Sequence, residues 1–368
     1  MGRPLLFVSA GDPSGDNATS HLISSLKRLR PDVELIGLGG PKLKALGQEQ
    51  FADGADLAVL GFWEVAKRFS FFRRLLSTCA KEIEKRRPSC VLLVDYPGFN
   101  LRLAERVKPL GIPIVYYISP QVWAWGVRRI PKLKRLTDRI LVILPFEEKF
   151  FEQHGIPVTM VGHYLMDDIP AEFINSPIPE NKQIALLPGS RQQEVQRMLE
   201  PMLAAARKLY REQGYKAVIA AVRNGYDYDR HLRDSDSDGI TLSYDDARRI
   251  IFDSKYVLTA SGTATLETGI IGRPMVVVYK TGWVTYHIAR RLVKLDKIAL
   301  VNLVLGEKAV PELIQADVTG DRLHDEMMRY IEDKQYASRV KTALARVPEL
   351  LGGQGASERA AEWVSKCL

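Results

Sequence analysis

A short apolar run, a glycine-containing turn and an amphipathic helix follow one another repeatedly along this chain, and this pattern indicates its fold class. Near the midpoint, residues 184–187 are typical of the end of a buried strand, and Pro188 and Gly189 then interrupt the strand pattern. Ser190 is predicted to cap the next helix, and Gln193 completes the spacing of a capping box. Such a turn directs free backbone N–H groups and the positive end of a helix dipole toward a ligand.

Arg191 is unusual at this turn because a cation in the first turn of a helix opposes the helix dipole. The cost is roughly 0.3–1 kcal/mol unless another charge compensates. An anionic ligand such as a diphosphate would compensate, whereas an ordinary turn with a solvent-facing arginine needs no ligand. The residues of this stretch alone leave both interpretations open.

The same alternation in both halves of the chain predicts an α/β fold with two doubly wound, Rossmann-like domains facing each other across a cleft. The 368 residues are too many for one typical core. Residues 1–170 are predicted to form the first domain and residues 181–355 the second, with a proline-containing linker at 169–180. The C-terminal helix within residues 356–368 is a candidate to pack back on the first domain.

The overall composition favours a negatively charged partner and gives no support for a metal site. A net charge of +8 points to nucleic acid, a membrane surface or a phosphorylated ligand. Three scattered cysteines argue against a disulfide framework and fit a reducing compartment. The histidines are not clustered and no CxxC or HExxH spacing occurs, so neither a metal nor another cofactor is expected. An apolar run begins near Leu5, which leaves no room for a signal peptide, and no run is long enough to span a membrane.

Residues 61–76 break the alternation because they combine bulky apolar side chains with interleaved cations. This combination suits an interfacial segment on anionic lipid. The alternative is a core helix with a basic solvent side, but the aromatic residues do not keep to one narrow helical stripe. A nucleic-acid interface is the weakest interpretation, because no motif with stacking platforms accompanies the basic residues. The predicted membrane contacts are Phe62, Trp63, Lys67, Arg68, Phe69, Phe71, Phe72, Arg73 and Arg74.

Carboxylates follow two apolar runs in the first half of the chain. Asp95 comes directly after the buried-type run at 90–94, at the edge where open α/β sheets bind ligands. An aspartate there is also a common turn former, and the sequence does not separate the two roles. The turn at 11–16 lacks the GxGxxG spacing of a dinucleotide site, and its two aspartates would repel a phosphate. Sugar hydroxyls or a structural role suit that turn better.

These motifs taken together resemble those of the lipid-A-disaccharide synthase family, glycosyltransferases of the GT-B type. The matching stretches are AGDPSGD at 10–16, VDYPGFN at 94–100, SPQVWAW at 119–125, LPGSR at 187–191 and ASGTATLE at 260–267, with later segments at 301–305 and 310–315. The resemblance covers nearly the whole chain, and the stretches at 119–125 and 187–191 are specific. Two positions depart from the family pattern: Asp12 replaces a usual Glu, and Gly98 replaces a usual second acid.

The resemblance implies an inverting transfer of 2,3-diacylglucosamine from UDP to 2,3-diacylglucosamine 1-phosphate, giving the lipid A disaccharide 1-phosphate and UDP. Asp95 would be the catalytic base, and Glu267 would accept the ribose hydroxyls of UDP. The implied donor-binding residues are Gly189, Ser190, Arg191, Ser261, Gly262, Thr263, Glu267 and Asn302. The implied acceptor-side residues are Asp12, Ser14, Gly15 and Asp16.

The expected partners are UDP-diacylglucosamine, diacylglucosamine 1-phosphate and an anionic membrane surface, without nucleic acid, and a homodimer is a candidate state. The expected location is cytoplasmic, peripheral on the cytoplasmic face of the inner membrane. One alternative is another UDP-sugar GT-B enzyme, of the hexosamine epimerase or lipid-linked GlcNAc transferase type. The other is a non-catalytic membrane adaptor that kept the fold.

Overall fold

The computed structural model describes residues 3–52, 69–223, 225–232, 238–282 and 296–368, without the side chains of Phe69 and Trp125. Contacts within the chain divide it into two compact units. The first unit contains Met1–Asp167 and Leu351–Leu368, and the second contains Asp168–Leu350. Each unit has one parallel sheet and intervening helices, so the predicted α/β class with doubly wound sheets is confirmed.

The first unit contains a seven-stranded sheet in the order β3-β2-β1-β4-β5-β6-β7. Its strands are β1 (Leu5–Ala10), β2 (Glu34–Leu38), β3 (Gln48–Gln50), β4 (Cys90–Val94), β5 (Ile114–Tyr117), β6 (Arg139–Val142) and β7 (Val158–Met160). Its helices are α1 (Pro13–Leu29), α2 (Pro41–Ala45), α3 (Phe69–Arg86), α4 (Pro97–Val107), α5 (Val122–Trp125), α6 (Ile130–Leu136), α7 (Pro145–Gln153) and α8 (Leu165–Asp168), which ends at the unit boundary.

The central strands of this sheet are continuous apolar runs because both of their faces are covered. Every residue of β4 is buried, and β4 pairs with β1 in parallel register, with Ala10 opposite Val94. The edge strand β3 consists of Gln48–Gln50 and carries no apolar pattern, so its sequence gives no strand signal.

The second unit contains a six-stranded sheet in the order β10-β9-β8-β11-β12-β13. Its strands are β8 (Gln183–Leu187), β9 (Lys216–Ala220), β10 (Ile240–Ser243), β11 (Tyr256–Ala260), β12 (Met275–Tyr279) and β13 (Glu312–Ile314). Its helices are α9 (Gln192–Gln213), α10 (Ala247–Asp253), α11 (Thr263–Ile271), α12 (Leu300–Leu305), α13 (Gly320–Glu332), α14 (Lys334–Leu344) and α15 (Val347–Leu350). The short edge strands β10 and β13 are absent from the sequence-based expectation.

The stretch at 169–180, expected to be a linker, is in part a packed element of the second unit. Phe173 is buried and its ring stacks on that of Phe252 at 4.2 Å between centroids. The carbonyl and hydroxyl of Ser176 both accept hydrogen bonds from Arg273. Its prolines give this stretch the composition of a linker, but its apolar side chain Phe173 packs in the core of the second unit.

The last helix, α16 (Ala356–Ser365), belongs to the first unit and packs on α1. Arg28 forms an ion pair with Glu358 at 3.1 Å. The Asp167 carboxylate accepts hydrogen bonds from the backbone N–H groups of Gly355 and Ser357 and so caps the start of the helix.

The predicted membrane segment is described only in part, because Phe62, Trp63, Lys67 and Arg68 lie outside the described residues. Phe71 and Phe72 were expected to be exposed; instead both are half-buried and pack against the core of the first unit. They lie on α3, which inserts Leu75, Cys79 and Ile83 into that core. Arg73 and Arg74 are exposed. No helix among the described residues has the length and apolarity needed to cross a bilayer.

Candidate active site

The sequence motifs lie where each sheet reverses its strand order. In the first unit this position is between β1 and β4, which are followed by the turns containing Asp12 and Asp95. In the second unit it is between β8 and β11, which are followed by the turns at 188–191 and 261–263. Open α/β sheets bind ligands at the carboxyl ends of such strands, because the helices that follow diverge to opposite faces and leave a crevice. Each unit therefore has one candidate binding edge.

The backbone is strained at this edge of the first unit. Asp95 and Tyr96, which follow β4, have φ values of 41° and 46°. Ile118, which follows β5, has a φ of 58°. Left-handed conformations are unusual for a residue with a side chain and rarest for a β-branched one. Each costs on the order of 1–3 kcal/mol, and such positions cluster at functional sites.

A buried hydrogen-bond network holds the main chain at Asp95 in this conformation. The Asp95 carbonyl accepts from the Tyr116 hydroxyl at 2.5 Å and from Asn100 Nδ2 at 2.8 Å. Asn100 also donates to the Val94 carbonyl, and its Oδ1 accepts from the Ser9 hydroxyl at 2.6 Å. Three of these bonds go to the carbonyls of Asp95 and Val94, and the fourth joins two side chains, so the network holds this turn without using the Asp95 carboxylate.

The surroundings of the Asp95 carboxyl group raise its pKa, which suits a general base. Burial raises its pKa from 3.8 to about 6, and the negative charge of Asp12 acts in the same direction. A carboxylate with a raised pKa is a stronger base than an ordinary one and is still ionised at neutral pH. The geometry therefore fits Asp95 as a group that removes a proton from a substrate hydroxyl.

The turn after β1 lies directly against the Asp95 turn. The Tyr96 ring covers Gly11 so closely that a Cβ there would stand 2.3 Å from the ring. A pocket of about 280 Å³ opens beside this turn, lined by 10–13, Asp16 and 39–42. The sequence signal for this contact is Gly11 itself, since any larger residue would push the tyrosine away.

The predicted acceptor-side residues divide into different roles. Asp12 caps α1 by accepting from the Gly15 backbone N–H at 2.9 Å. Asp16 is buried, and its carboxylate accepts from the backbone N–H groups of Gly40, Lys42 and Leu43 at the start of α2. The structure thus gives Asp16 the structural role that the sequence analysis left open. Ser14 is exposed, whereas Gly15 is buried.

The turn after β8 is capped differently from the expectation. Arg191, not Ser190, is the N-cap of α9, and the capping acid is Glu194 rather than Gln193. One oxygen of Glu194 accepts from the Ser190 and Arg191 backbone N–H groups at 3.2 Å. The other accepts from the Arg191 guanidinium at 3.0 Å. The charge that balances Arg191 is therefore this internal carboxylate, and the arginine side chain is 65% exposed.

The turn after β11 leaves its backbone open. Gly262 has a φ of 155°, and no atom of the described residues lies within 4 Å of the place where its Cβ would stand. Ser261 and Thr263 flank it, and Thr263 is exposed at the start of α11. A glycine in this conformation lets a ligand approach the main chain closely.

Glu267 lies one turn into α11 and is oriented by an arginine that sequence analysis did not identify. Arg248 donates to the Glu267 carboxylate at 2.8 Å and to Asp168 at 2.6 Å. The Glu267 side chain is 16% exposed. Arg248 follows the helix cap Asp246 by two residues and is adjacent to another arginine, so nothing in its sequence neighbourhood distinguishes it.

Asn302 has a structural function in the described residues. It is fully buried; its Nδ2 donates to the Val310 carbonyl and Glu312, and its Oδ1 accepts from the Val310 N–H. Glu312 in turn accepts from the backbone N–H groups of Ile298 and Ala299, the two residues that precede α12. Contact between Asn302 and a donor substrate stays a prediction.

The whole chain is similar to known proteins. The sequence profile of the family described as "Lipid-A-disaccharide synthetase" matches residues 6–365. The lipid-A-disaccharide synthase of Anaeromyxobacter dehalogenans (strain 2CP-1) is 39% identical over 368 residues, covering 98% of this chain and 96% of that protein. The lipid-A-disaccharide synthase of Geobacter metallireducens is 36% identical over 374 residues, covering 99% and 97%.

Solved structures with the same fold include glycosyltransferases and epimerases. UDP-GlcNAc 2-epimerase from Neisseria meningitidis, bound to UDP-GlcNAc, has a TM-score of 0.63 at 14% identity and full coverage of both chains. The calicheamicin glycosyltransferase CalG4 has a TM-score of 0.63 at 16% identity, covering 100% of this chain and 98% of that one. These likenesses show the fold, and the sequence relatives show the family. The chain belongs to the lipid-A-disaccharide synthase family of UDP-sugar glycosyltransferases, on a GT-B fold.

Proposed function

We propose that this enzyme moves 2,3-diacylglucosamine from UDP to 2,3-diacylglucosamine 1-phosphate with inversion at the anomeric carbon. The products are the lipid A disaccharide 1-phosphate and UDP. The family supplies the general reaction, lipid A disaccharide synthesis. The observation that carries the mechanism is Asp95, a carboxylate with raised pKa on a strained turn at the reversal point of the first sheet.

In this mechanism Asp95 accepts the proton of the acceptor hydroxyl as the oxygen attacks the anomeric carbon of the donor. Inversion in one displacement needs such a base and also needs stabilisation of the departing diphosphate. The proposed acceptor side is the turn containing Asp12, Ser14 and Gly15, which lies beside the base. Asp16 contributes by holding α2 in place against that turn.

The proposed donor side uses the turns after β8 and β11. Arg191 and the backbone at Gly189 and Ser190 would stabilise the UDP diphosphate. Because Glu194 accepts from the backbone N–H groups of Ser190 and Arg191, the diphosphate would have to displace or share these contacts. Ser261, Gly262 and Thr263 would line the open turn, and Glu267, oriented by Arg248, would accept the ribose hydroxyls.

Release of UDP is the test of the whole reaction. The purified enzyme is mixed with the acylated UDP donor and the acylated 1-phosphate acceptor, and UDP and disaccharide are measured together. Equal amounts of both products support the transfer. UDP-sugar turnover without acceptor would point to an epimerase-type enzyme, and no turnover with retained vesicle binding would point to a membrane adaptor.

Loss of the donor contacts is expected to weaken UDP binding. Arg191→Ala removes a charge-assisted contact of about 1.5–3 kcal/mol, which is roughly a 10- to 150-fold rise in Kd. Glu267→Gln weakens the acceptor for the ribose hydroxyls and is expected to raise Kd in the same direction. Calorimetric titration with UDP measures both.

The matched control for Arg191 is Arg197→Ala, which removes an arginine from the same helix beyond its first turn. It is expected to leave the Kd for UDP within twofold of wild type. An unchanged Kd in Arg191→Ala or Glu267→Gln would remove that residue from the donor site.

We also propose that the enzyme is peripheral on the cytoplasmic face of the inner membrane, because both substrates carry acyl chains. The proposed membrane contacts include Phe62, Trp63, Lys67, Arg68 and Phe69 together with the start of α3. On α3, Arg73 and Arg74 are exposed beside half-buried Phe71 and Phe72, which suits contact with anionic headgroups. A homodimer is the candidate oligomeric state.

Neutralising the two exposed arginines is expected to weaken vesicle binding. Each basic residue near an anionic surface contributes about 1 kcal/mol, so Arg73→Gln with Arg74→Gln is expected to lower partitioning roughly tenfold to thirtyfold. Co-sedimentation with vesicles containing anionic lipid measures the effect. The control is Lys81→Gln with Lys85→Gln, the same charge change nearer the other end of the helix. Equal loss in both pairs would show general charge attraction rather than an oriented contact.

A further inference from the structure

Glu147 is a buried carboxylate that the proposed mechanism does not use. It lies in the first turn of α7 and is 2% exposed. Its Oε1 accepts from the Ser119 hydroxyl at 3.0 Å and from the Trp123 indole Nε1 at 3.1 Å. Its Oε2 accepts from the Leu144 backbone N–H at 3.1 Å. A buried carboxylate is costly without such bonds, so this arrangement calls for an explanation.

The partners of Glu147 connect it to the base. Ser119 and Trp123 belong to residues 119–125, which we call the tryptophan loop. This loop, which includes the short helix α5, follows Ile118, the strained residue after β5. β5 pairs directly with β4, and the Tyr117 carbonyl accepts from the Asp95 backbone N–H at 3.2 Å. The tryptophan loop therefore begins within two residues of the main chain that bonds to Asp95.

We propose that Glu147 is a positioning residue that fixes the tryptophan loop beside Asp95 and thereby sets acceptor binding, an inference that rests on the transfer reaction proposed above. The carboxylate bonds to the start of the loop through Ser119 and to its middle through Trp123. The Trp123 ring also packs edge-on against Phe146, with 4.8 Å between centroids. The indole is thus held both at its N–H and by ring contact with Phe146.

The charge state of Glu147 gives this arrangement a distinctive readout. Burial raises the pKa of its carboxyl to about 7, and its hydrogen bonds from Leu144, Ser119 and Trp123 act against that rise. Among the described residues, the hydrogen-bond donors to its oxygens come from its own turn and from the tryptophan loop, and these donors are neutral. Protonation places a hydrogen on one oxygen and removes an acceptor, so the loop is expected to loosen as pH falls through about 7.

Glu147→Gln tests the proposal in the full-length enzyme. The amide keeps one acceptor oxygen and replaces the other with a donor, so one loop or turn contact is lost. We expect about a tenfold rise in the acceptor KM, with the Kd for UDP unchanged. In wild type, kcat/KM for acceptor should fall with decreasing pH near 7 and again near 6. In Glu147→Gln the component near 7 should disappear while the one near 6 remains.

The control is Glu148→Gln, because Glu148 is the next residue of the same helix and its carboxylate accepts from the Met160 backbone N–H at 2.7 Å. It is expected to leave the acceptor KM and the limb near pH 7 unchanged. A purely structural role for Glu147 would lower activity by the same factor at every pH. A Glu147→Gln profile with the wild-type shape, or an unchanged acceptor KM, would overturn the proposal.

A second measurement covers the case in which Glu147→Gln fails to fold. Trp123→Phe removes the indole N–H and keeps an aromatic ring, and it should raise the acceptor KM in the same direction. The wild type minus Trp123→Phe fluorescence difference isolates this indole from the five tryptophans of the chain. The emission of this indole should change with pH around a midpoint near 7. An emission that does not change with pH would overturn the proposal that Glu147 holds the tryptophan loop. This fluorescence titration needs no turnover. It therefore tests the contact between Glu147 and the tryptophan loop even if the proposed transfer reaction is wrong.

Discussion

Replacing Asp95 by Asn is expected to lower turnover roughly 100- to 10,000-fold, the usual range for loss of a general base. The amide cannot accept the proton of the acceptor hydroxyl. The three residues that follow Asp95, at 96–98, are not acids, so its sequence neighbours offer no substitute. The fold and the Kd for UDP should be retained, because Tyr116 and Asn100 hold this turn through the Asp95 carbonyl, and the Asn side chain keeps an oxygen that can accept from the Tyr96 backbone N–H. Single-turnover assays with acylated substrates, together with UDP titration, measure both effects.

The pH dependence gives an independent check on this assignment. The pKa of Asp95 is raised to about 6, and only its deprotonated form can act as base. At saturating acceptor, kcat should therefore rise with pH and reach half its plateau near pH 6. Asp12→Asn removes the negative neighbour that helps to raise this pKa, so the acid limb should move to lower pH. Asparagine can still cap α1 through its carbonyl oxygen, so this variant keeps the turn.

The control for the size of the effect is Asp138→Asn, a carboxylate of the same unit that pairs with Lys108 at 2.6 Å. It is expected to leave turnover within a few-fold of wild type. An Asp95→Asn enzyme that retained turnover in that range would show that another group is the base. An acid limb that stayed in place in Asp12→Asn would show that Asp12 does not act on the catalytic group.

The position of the site was predictable from sequence because it depends on strand ends. Buried parallel strands are near-continuous apolar runs, so β1, β4, β8 and β11 can be recognised and the residues that follow them identified. The sheet then brings these turns together in pairs at its reversal points. Asp95 and Arg191 are predicted site residues of this kind, and their contact with substrate stays a prediction.

The roles of capping residues were less predictable because several nearby groups can satisfy the same backbone N–H groups. Asp16 caps a helix that begins 25 residues later, a contact that only the folded sheet creates. At Arg191, a glutamate and a glutamine are adjacent, and the spacing rule chose the wrong one. Glu147 was missed, although Leu144-Pro-Phe-Glu147 after an apolar run has the proline and glutamate spacing of a helix start.

The half-burial of Phe71 and Phe72 was missed for a different reason. The interleaved cations suggested a segment without a core side, yet α3 has an apolar stripe formed by Leu75, Cys79 and Ile83. Phe71 and Phe72 begin that stripe and contact the core at its edge. The start of α3 lies partly in the core and partly at the surface, so its sequence contains both aromatic and basic residues. Composition alone does not show which of these side chains are buried.

Arg273 is the least expected residue in the interior of the second unit. It precedes β12 and is 1% exposed. Its hydrogen bonds within the described residues all go to neutral oxygens: its Nη1 donates to the carbonyls of Ser176 and Ile271, and its Nη2 to the Ser176 hydroxyl and the Phe252 carbonyl. Burial lowers its pKa to about 10, so it remains charged at neutral pH. Through Ser176, this arginine connects the stretch at 169–180 to the start of β12.

Arg273→Ala is expected to destabilise the second unit by about 3–5 kcal/mol. The substitution leaves buried carbonyl groups without donors and opens a cavity beside the Phe252 ring. For a domain of this size, such a loss corresponds to a fall in Tm of roughly 10 °C. Differential scanning calorimetry measures the change, and UDP should restore part of it by binding only the folded state.

The matched control is Arg249→Ala, because the Arg249 guanidinium also lies over the Phe252 ring, at 5.3 Å, but is exposed and pairs with Asp253. A surface pair of this kind contributes about 0.3–0.5 kcal/mol, so Tm should change by less than about 2 °C. Arg273→Met separates the two parts of the Arg273 effect, since it keeps most of the volume and loses the hydrogen bonds. If Arg273→Met were as stable as wild type, the carbonyl groups would not depend on the guanidinium, and filling the cavity would be the whole function of the side chain.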